Sequence, residues 1–230
     1  MERSDAYLIL NLLPGVGPMR VAQLLAVFES PAAILAATDK DLARVPGIGD
    51  KLATVIANWR GQCDVEAEKA LISRAGVHIV TRDDEAYAEL LREIHDPPLC
   101  LYVRGSVGAL AACRNGISMV GSRRTTTYGV HMAEHLAMAA AYAGWPVVSG
   151  LARGIDTVVH EAVLRAGGCT VAVLGAGLGR ICPQENVPLA RRMAENGGAL
   201  VSEFPMTFPP DKRTFPMRNR IISGLTQGTL

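Results

Sequence analysis

The chain has 230 residues, of which 49% are apolar and 20% charged, and it carries a net charge of +1 at neutral pH. That apolar share is enough for a packed core in one or two domains. The near-neutral balance excludes steering of a polyanion by total charge, so cations that bind one must be clustered.

Five cysteines, odd in number and without Cys-x-x-Cys or Cys/His ligand spacing, predict reduced thiols and neither a disulfide scaffold nor a metal site. Met1-Glu2-Arg3-Ser4-Asp5 does not lead into an apolar run, and the most apolar region, 136–152, is broken by Gly144, Pro146 and Gly150. A soluble, cytoplasmic chain with no leader and no membrane span is therefore expected.

Residues 6–60 repeat a pattern. Leu13-Pro14-Gly15-Val16-Gly17 returns as Val45-Pro46-Gly47-Ile48-Gly49, and each copy is followed by apolar residues at helical spacing, Val21, Leu24 and Leu25 in one, Leu52, Val55 and Ile56 in the other. The repeat resembles a pair of helix-hairpin-helix motifs, in which a Gly-x-Gly turn offers backbone amides to a nucleic-acid phosphate at a helix N-terminus. Gly15, Gly17, Gly47 and Gly49 are then candidate contacts to a DNA backbone. The competing reading is a structural module whose glycines close helix-helix turns. Residues 1–62 are assigned to this helical, SAM-like domain.

Residues 63–115 form a connecting segment that extends the sheet of the C-terminal half, with strands expected at Val77–Val80 and Cys100–Val103 around a helix over 84–94. From 116 to 230 the order is regular. Strands are predicted at 117–120, 147–148, 171–174 and 200–201, and helices at 128–143, 155–166 and 188–196. This spacing is that of βα units joined by crossovers into a parallel sheet, an α/β Rossmann-like domain.

Every polar motif of this half directly follows a strand, which puts them together at the carboxyl edge where open α/β sheets bind ligands. After the second strand comes Ser149-Gly-Leu-Ala-Arg-Gly-Ile-Asp, a turn whose glycines let amides converge on an anion at a helix start. Gly175-Ala-Gly-Leu-Gly is not a dinucleotide fingerprint, because its glycines are spaced GxGxG and Cys182-Pro183 follows closely. Near the end, Lys212, Arg213, Arg218 and Arg220 surround Phe215. Cations interleaved with an aromatic ring suit a single nucleic-acid strand, with about three or four phosphates neutralised.

Taken together, Met119-Val-Gly-Ser-Arg, Ser149-Gly-Leu-Ala-Arg-Gly-Ile-Asp with His160, Val173-Leu-Gly-Ala-Gly with Pro183, Val201-Ser-Glu-Phe-Pro and Phe215-Pro-Met-Arg-Asn-Arg-Ile-Ile-Ser-Gly-Leu resemble the DNA processing protein A (DprA/Smf) family. The resemblance implies a Rossmann-like domain that binds single-stranded DNA, shields it, and loads the RecA recombinase during natural transformation, without catalysis or a cofactor. It also implies phosphate contacts at Gly121, Ser122, Arg123, Ser149, Gly150, Arg153, Gly154 and Lys212, base stacking on Phe215, and a groove lined by Arg218 and Arg220. Family members are homodimers. This sequence stops at Leu230, short of the family's later strands, and so reads as a truncated member lacking the dimer surface, with an unpaired sheet edge and uncovered apolar surface.

Asp156 and His160, one helical turn apart, are expected to form a structural pair that braces the loop. The alternative reading is a nucleotide-processing enzyme of the nucleoside-monophosphate phosphoribohydrolase kind, using Glu203, Asp156 and His160. Its Pro-Gly-Gly-x-Gly-Thr-x-x-Glu signature is absent from the sequence.

Overall fold

The computed structural model describes residues 1–230. Five helices open the chain: α1 (Arg3–Leu12), α2 (Pro18–Leu25), α3 (Pro31–Ala36), α4 (Asp39–Ala43) and α5 (Asp50–Ala57). Their starts follow local chemistry. Pro18 and Pro31 occupy first-turn positions, and the Ser30 and Thr38 hydroxyls accept from the amides of Ala33 and Asp41 at 3.1 and 3.2 Å. The apolar positions of the repeat become the core of this module, with Val21, Leu24, Ile34, Leu42, Ala53 and Ile56 buried. The two Gly-x-Gly turns lie against each other's helices, Gly15 beside Leu52 and Gly47 beside Gln23.

The chain continues through α6 (Val65–Arg74), β1 (Val77–Thr81), α7 (Glu89–Arg92), β2 (Cys100–Gly105) and α8 (Gly108–Ala112). The regular half holds β3 (Ile117–Ser118), α9 (Thr127–Tyr142), β4 (Val147–Ser149), α10 (Ile155–Arg165), β5 (Thr170–Val173), α11 (Val187–Glu195), β6 (Ala199–Ser202) and α12 (Thr214–Gly224). One six-stranded sheet runs in the order β1-β2-β6-β5-β4-β3. β3 to β6 are parallel, as the βα spacing predicts. β1 and β2 extend the sheet antiparallel, with Ile79 opposite Tyr102 and Val103 opposite Val201.

The helix expected over 84–94 shrinks to α7. Asp84 turns back to accept from the Thr81 amide at 2.7 Å, and Tyr87 is drawn into the core, where its hydroxyl donates to the Pro98 carbonyl at 2.9 Å. These two anchors hold 82–87 in turns.

Alternation sorts the strand residues between the two faces of the sheet. Val148, Val171, Val173, Val201 and Val103 face α8 and α12, while Cys100, Tyr102, Ala172 and Leu200 face α11 and α1, and Val147 faces α9 and α10. With α9, α10 and α11 on one face and neighbouring strands consecutive, each crossover has the same hand.

The helical module and the sheet are joined. Leu8 of α1 belongs to the sheet's core and Leu99 to the module's. Asn11 donates to the Glu203 carbonyl at 3.0 Å, Tyr7 to Asp83 at 3.0 Å, and Lys69 pairs with Asp5 at 2.7 Å. At the other side the edge of β3 is not bare. Thr229 bridges Ser118 in parallel, and the Leu230 amide donates to the Ser118 carbonyl at 2.9 Å. Apolar surface does remain open on α9, at Tyr128, Met132 and Leu136. No helix is long and apolar enough to cross a membrane.

Candidate nucleic-acid interface

Three loops and the start of α12 meet at the carboxyl ends of the parallel strands. The loop after β4 is organised from inside. Asp156, in the first turn of α10 and buried, accepts from the Gly150 and Ala152 amides at 3.2 and 3.3 Å. Burial raises its carboxyl above the usual carboxylate range, while these amides and the nearby Arg218 charge oppose the shift. The anion this turn holds is therefore a side chain of the protein itself.

Beneath the same loop the Arg218 guanidinium donates to the carbonyls of Gly150 (2.7 Å) and Val173, and its Nε to Asn219 Oδ1 at 3.1 Å. Burial pulls its pKa down to about 10, so it stays charged at neutral pH. A Cβ on Gly150 would collide with that guanidinium. Gly154, at φ +82°, lies backbone to backbone against Ser122 and Arg123, and the Ile155 amide donates to the Ser122 carbonyl at 3.1 Å. The loops after β3 and β4 thus behave as one piece.

The third loop is pinned to the segment after β6. The Gly177 and Gly179 amides donate to the Phe208 and Met206 carbonyls at 3.0 and 2.9 Å, and Phe204 stacks on Phe208 at 4.9 Å. Thr214 fastens the start of α12 by donating to the Gly175 carbonyl, and Gly175 leaves room for the Phe215 ring. Phe215 then stands half-buried between two hollows. One, of about 520 Å³, has Lys212, Arg123 and Asn219 on its walls and Arg218 at its floor; the other, of about 390 Å³, lies toward Arg153, Cys182 and Glu185. Arg123 borders both, its guanidinium carbon 5.3 Å from the Phe215 ring centroid, a cation–π contact.

This placement sorts the residues named from the sequence. Gly121, Ser122, Arg123 and Lys212 are exposed, and Arg123 and Lys212 have no carboxylate partner. Ser149 and Gly150 are buried; the Gly150 amide is taken by Asp156, while the Ser149 hydroxyl has no hydrogen-bond partner in the protein. Gly154 serves the contact between loops. Arg218 is only 4% exposed; Nη1 is taken by the two carbonyls and Nε by Asn219, which sets it at the floor of the groove with Nη2 unpartnered.

Arg220 faces Glu203 through two contacts of 2.6 Å and Asp96 at 2.8 Å; burial lowers its pKa, and these carboxylates outweigh that and raise it. Arg153 is gripped by Glu185 at 2.8 and 2.9 Å, and Arg213 by Asp211 at 2.9 and 3.1 Å. Two unpaired cations therefore border the groove, where the count along the sequence suggested three or four phosphates.

Asp156 and His160 do not bond to each other. His160 is buried against the sheet, its Nδ1 2.7 Å from the Thr170 hydroxyl, which in turn donates to the Val147 carbonyl at 2.9 Å. Each braces a different place, Asp156 the loop and His160 the β4–β5 pair. Glu203, a catalytic group in the alternative enzyme reading, is held by Arg220.

In the helical module Gly15 and Gly47 have φ of +75° and +85°, whereas Gly17 and Gly49 begin α2 and α5 with open space around them. Sequence reading missed Asn219 and Glu185. Asn219 lies one helical turn after Phe215 and was findable by that spacing. Glu185 carries no local signal.

The model of the DNA recombination-mediator protein A family matches residues 78–230, and that of the SAM-like helix-hairpin-helix tandem matches 8–57. Protein Smf of Escherichia coli is 41% identical over 166 residues, 72% of this chain and 44% of that protein. The X-ray structure of DNA processing protein A from Streptococcus pneumoniae superposes with a TM-score of 0.78 at 30% identity, covering 97% of this chain and 76% of that one. A structure of the Helicobacter pylori protein, described for its single-stranded DNA binding mode, gives 0.59 at 28% identity over 68% of this chain and 69% of that one. The chain spans about half the length of the curated relatives it matches.

Proposed function

Because the chain belongs to the DNA recombination-mediator protein A family, we propose that it binds single-stranded DNA along the groove beside Phe215. In this reading it shields strands taken up in natural transformation and hands them to the RecA recombinase, in the cytoplasm. The observation that carries the proposal is the pairing of two carboxylate-free cations, Arg123 and Lys212, with one half-buried aromatic ring in a single groove. The cations suit phosphates and the ring suits an unpaired base, whatever its identity.

Binding, and not turnover, is the role this geometry favours. The groups an enzyme would draw on are engaged elsewhere: Asp156 by loop amides, His160 by Thr170 and Glu203 by Arg220.

Fluorescence anisotropy with a labelled single strand, titrated across salt concentrations against a duplex competitor of the same length, tests the reading. Two neutralised phosphates predict a log-log slope of roughly −1.4, and Arg123→Ala or Lys212→Ala should each remove about 0.7 of it. Affinity and slope unchanged in both variants would refute the site; equal affinity for the duplex would refute the single-strand reading.

A further inference from the structure

The cysteines of this chain offer no ligand spacing for a metal, but α9 does. Its sequence, Thr127-Tyr-Gly-Val-His-Met-Ala-Glu-His-Leu-Ala-Met-Ala-Ala-Ala-Tyr, has histidines four apart at 131 and 135 and a methionine three further on at 138. At 3.6 residues per turn these three positions fall within about 60° of one another around the helix axis. Residues four and three apart on a helix are neighbours, and their side chains lean toward the N-terminus, which directs the Met138 thioether back toward the His135 ring. With Met132 and Glu134 the three line one shallow hollow of about 450 Å³. Both imidazoles are exposed, and Met138 is half-buried.

His131-Met-Ala-Glu-His135 has the form H-x-x-E-H, a pattern in which two histidines hold zinc and the glutamate serves hydrolysis. The arrangement here does not suit that chemistry. Glu134 is paired with Arg165 of α10, and no third histidine, cysteine or carboxylate completes a zinc set. The third donor is a thioether.

Two neutral imidazoles and one thioether make a soft, uncharged ligand set, and soft sulfur ligands select copper(I). The surroundings favour a single charge as well. Histidines aside, Glu134 is the one charged residue of α9, and Arg165 neutralises it; the exposed large side chains near the donors are Tyr128, Met132, Leu136 and Tyr142. Holding an ion beside apolar surface costs more as its charge rises, and no free carboxylate is at hand to offset a second charge.

We propose that His131, His135 and Met138 form a binding site for one soft monovalent cation of the copper(I) kind on the outer face of α9. The site lies apart from the groove, since none of its ligands borders either hollow beside Phe215.

Silver(I), which binds like copper(I) without redox chemistry, is the probe. The half-buried thiols of Cys63, Cys169 and Cys182 are first blocked with N-ethylmaleimide, Cys100 and Cys113 being buried. The intact chain is then titrated with silver nitrate in chloride-free buffer and followed by native mass spectrometry. One silver ion per chain is expected, lost in His131→Ala and in His135→Ala and held severalfold more weakly in Met138→Leu, while zinc binds severalfold more weakly than silver. Silver retained in full by both histidine variants overturns the site. An unchanged affinity in Met138→Leu, or zinc bound as tightly as silver, overturns the soft-ion assignment.

A measurement on the unsubstituted chain guards against a misfolded variant. Bound silver occupies the thioether lone pair, so oxidation of Met138 by tert-butyl hydroperoxide should slow severalfold, while Met19 and Met217, exposed on other helices, oxidise as before. Met138 oxidising at an equal rate with silver bound overturns its place in the site.

Discussion

A Cβ has different consequences at different glycines of this chain, and the differences separate scaffold from surface. Gly154 adopts φ +82° and abuts the backbone of Ser122 and Arg123, so Gly154→Ala adds left-handed strain of about 1–2 kcal/mol to an overpacking cost of about 1–3 kcal/mol. Gly17 meets nothing within 4 Å, and Gly17→Ala should cost less than about 1 kcal/mol. Thermal or urea melts of the two variants check this ordering, and equal losses would contradict the loop contact. The sequence made these glycines visible but not their purpose. A Gly-rich turn before a helix reads as an opening for phosphate, and here the opening is filled by Arg218 below Gly150, by Ser122 against Gly154 and by Phe215 beside Gly175. Those partners lie tens of positions away along the chain, out of reach of any local pattern.

At the scale of elements, the βα units from β3 to β6 were legible because their strands are largely buried on both faces and period and length agree, whereas α12 was not predicted, its cations and Pro216 masking the helical spacing. The 84–94 segment was not, because its fate is set by Tyr87 reaching Pro98 across a turn. The packing of α10 has a measurable pH signature. His160 is held neutral, its pKa pulled from 6.5 to about 3 by burial, with the Arg218 charge adding to the effect. Between those values the unfolded chain binds the extra proton, so stability falls as pH falls, by up to about 1.4 kcal/mol per unit. Asp156, raised from 3.8, acts in the opposite sense at the acid end. His160→Gln should remove only the first contribution, and the stability gap between the native chain and the variant should therefore shrink steadily from pH 6.5 downward. A gap independent of pH would mean that the ring titrates normally.

At the scale of the molecule, the question is whether the helical module is a separate unit. The chain's two tryptophans report on it, Trp59 in the module and Trp145 between α9 and β4. With Leu8 and Leu99 exchanged between the cores, both should unfold in one transition, seen by comparing Trp59→Phe with Trp145→Phe. Leu8→Ala should cost about 2–5 kcal/mol in both reporters alike. Two separated transitions would show the module unfolding alone.

The Asp156 carboxylate under the loop has a consequence for how such a protein can change. With an internal anion satisfying those amides, the loop keeps its shape without cargo, and the hold on cargo falls to side chains that stand outside it. The Arg123 and Lys212 side chains can each be exchanged without rebuilding the turn. Descendants of this scaffold are thus free to retune strength, charge and selectivity one surface residue at a time, over a foundation that does not register the change.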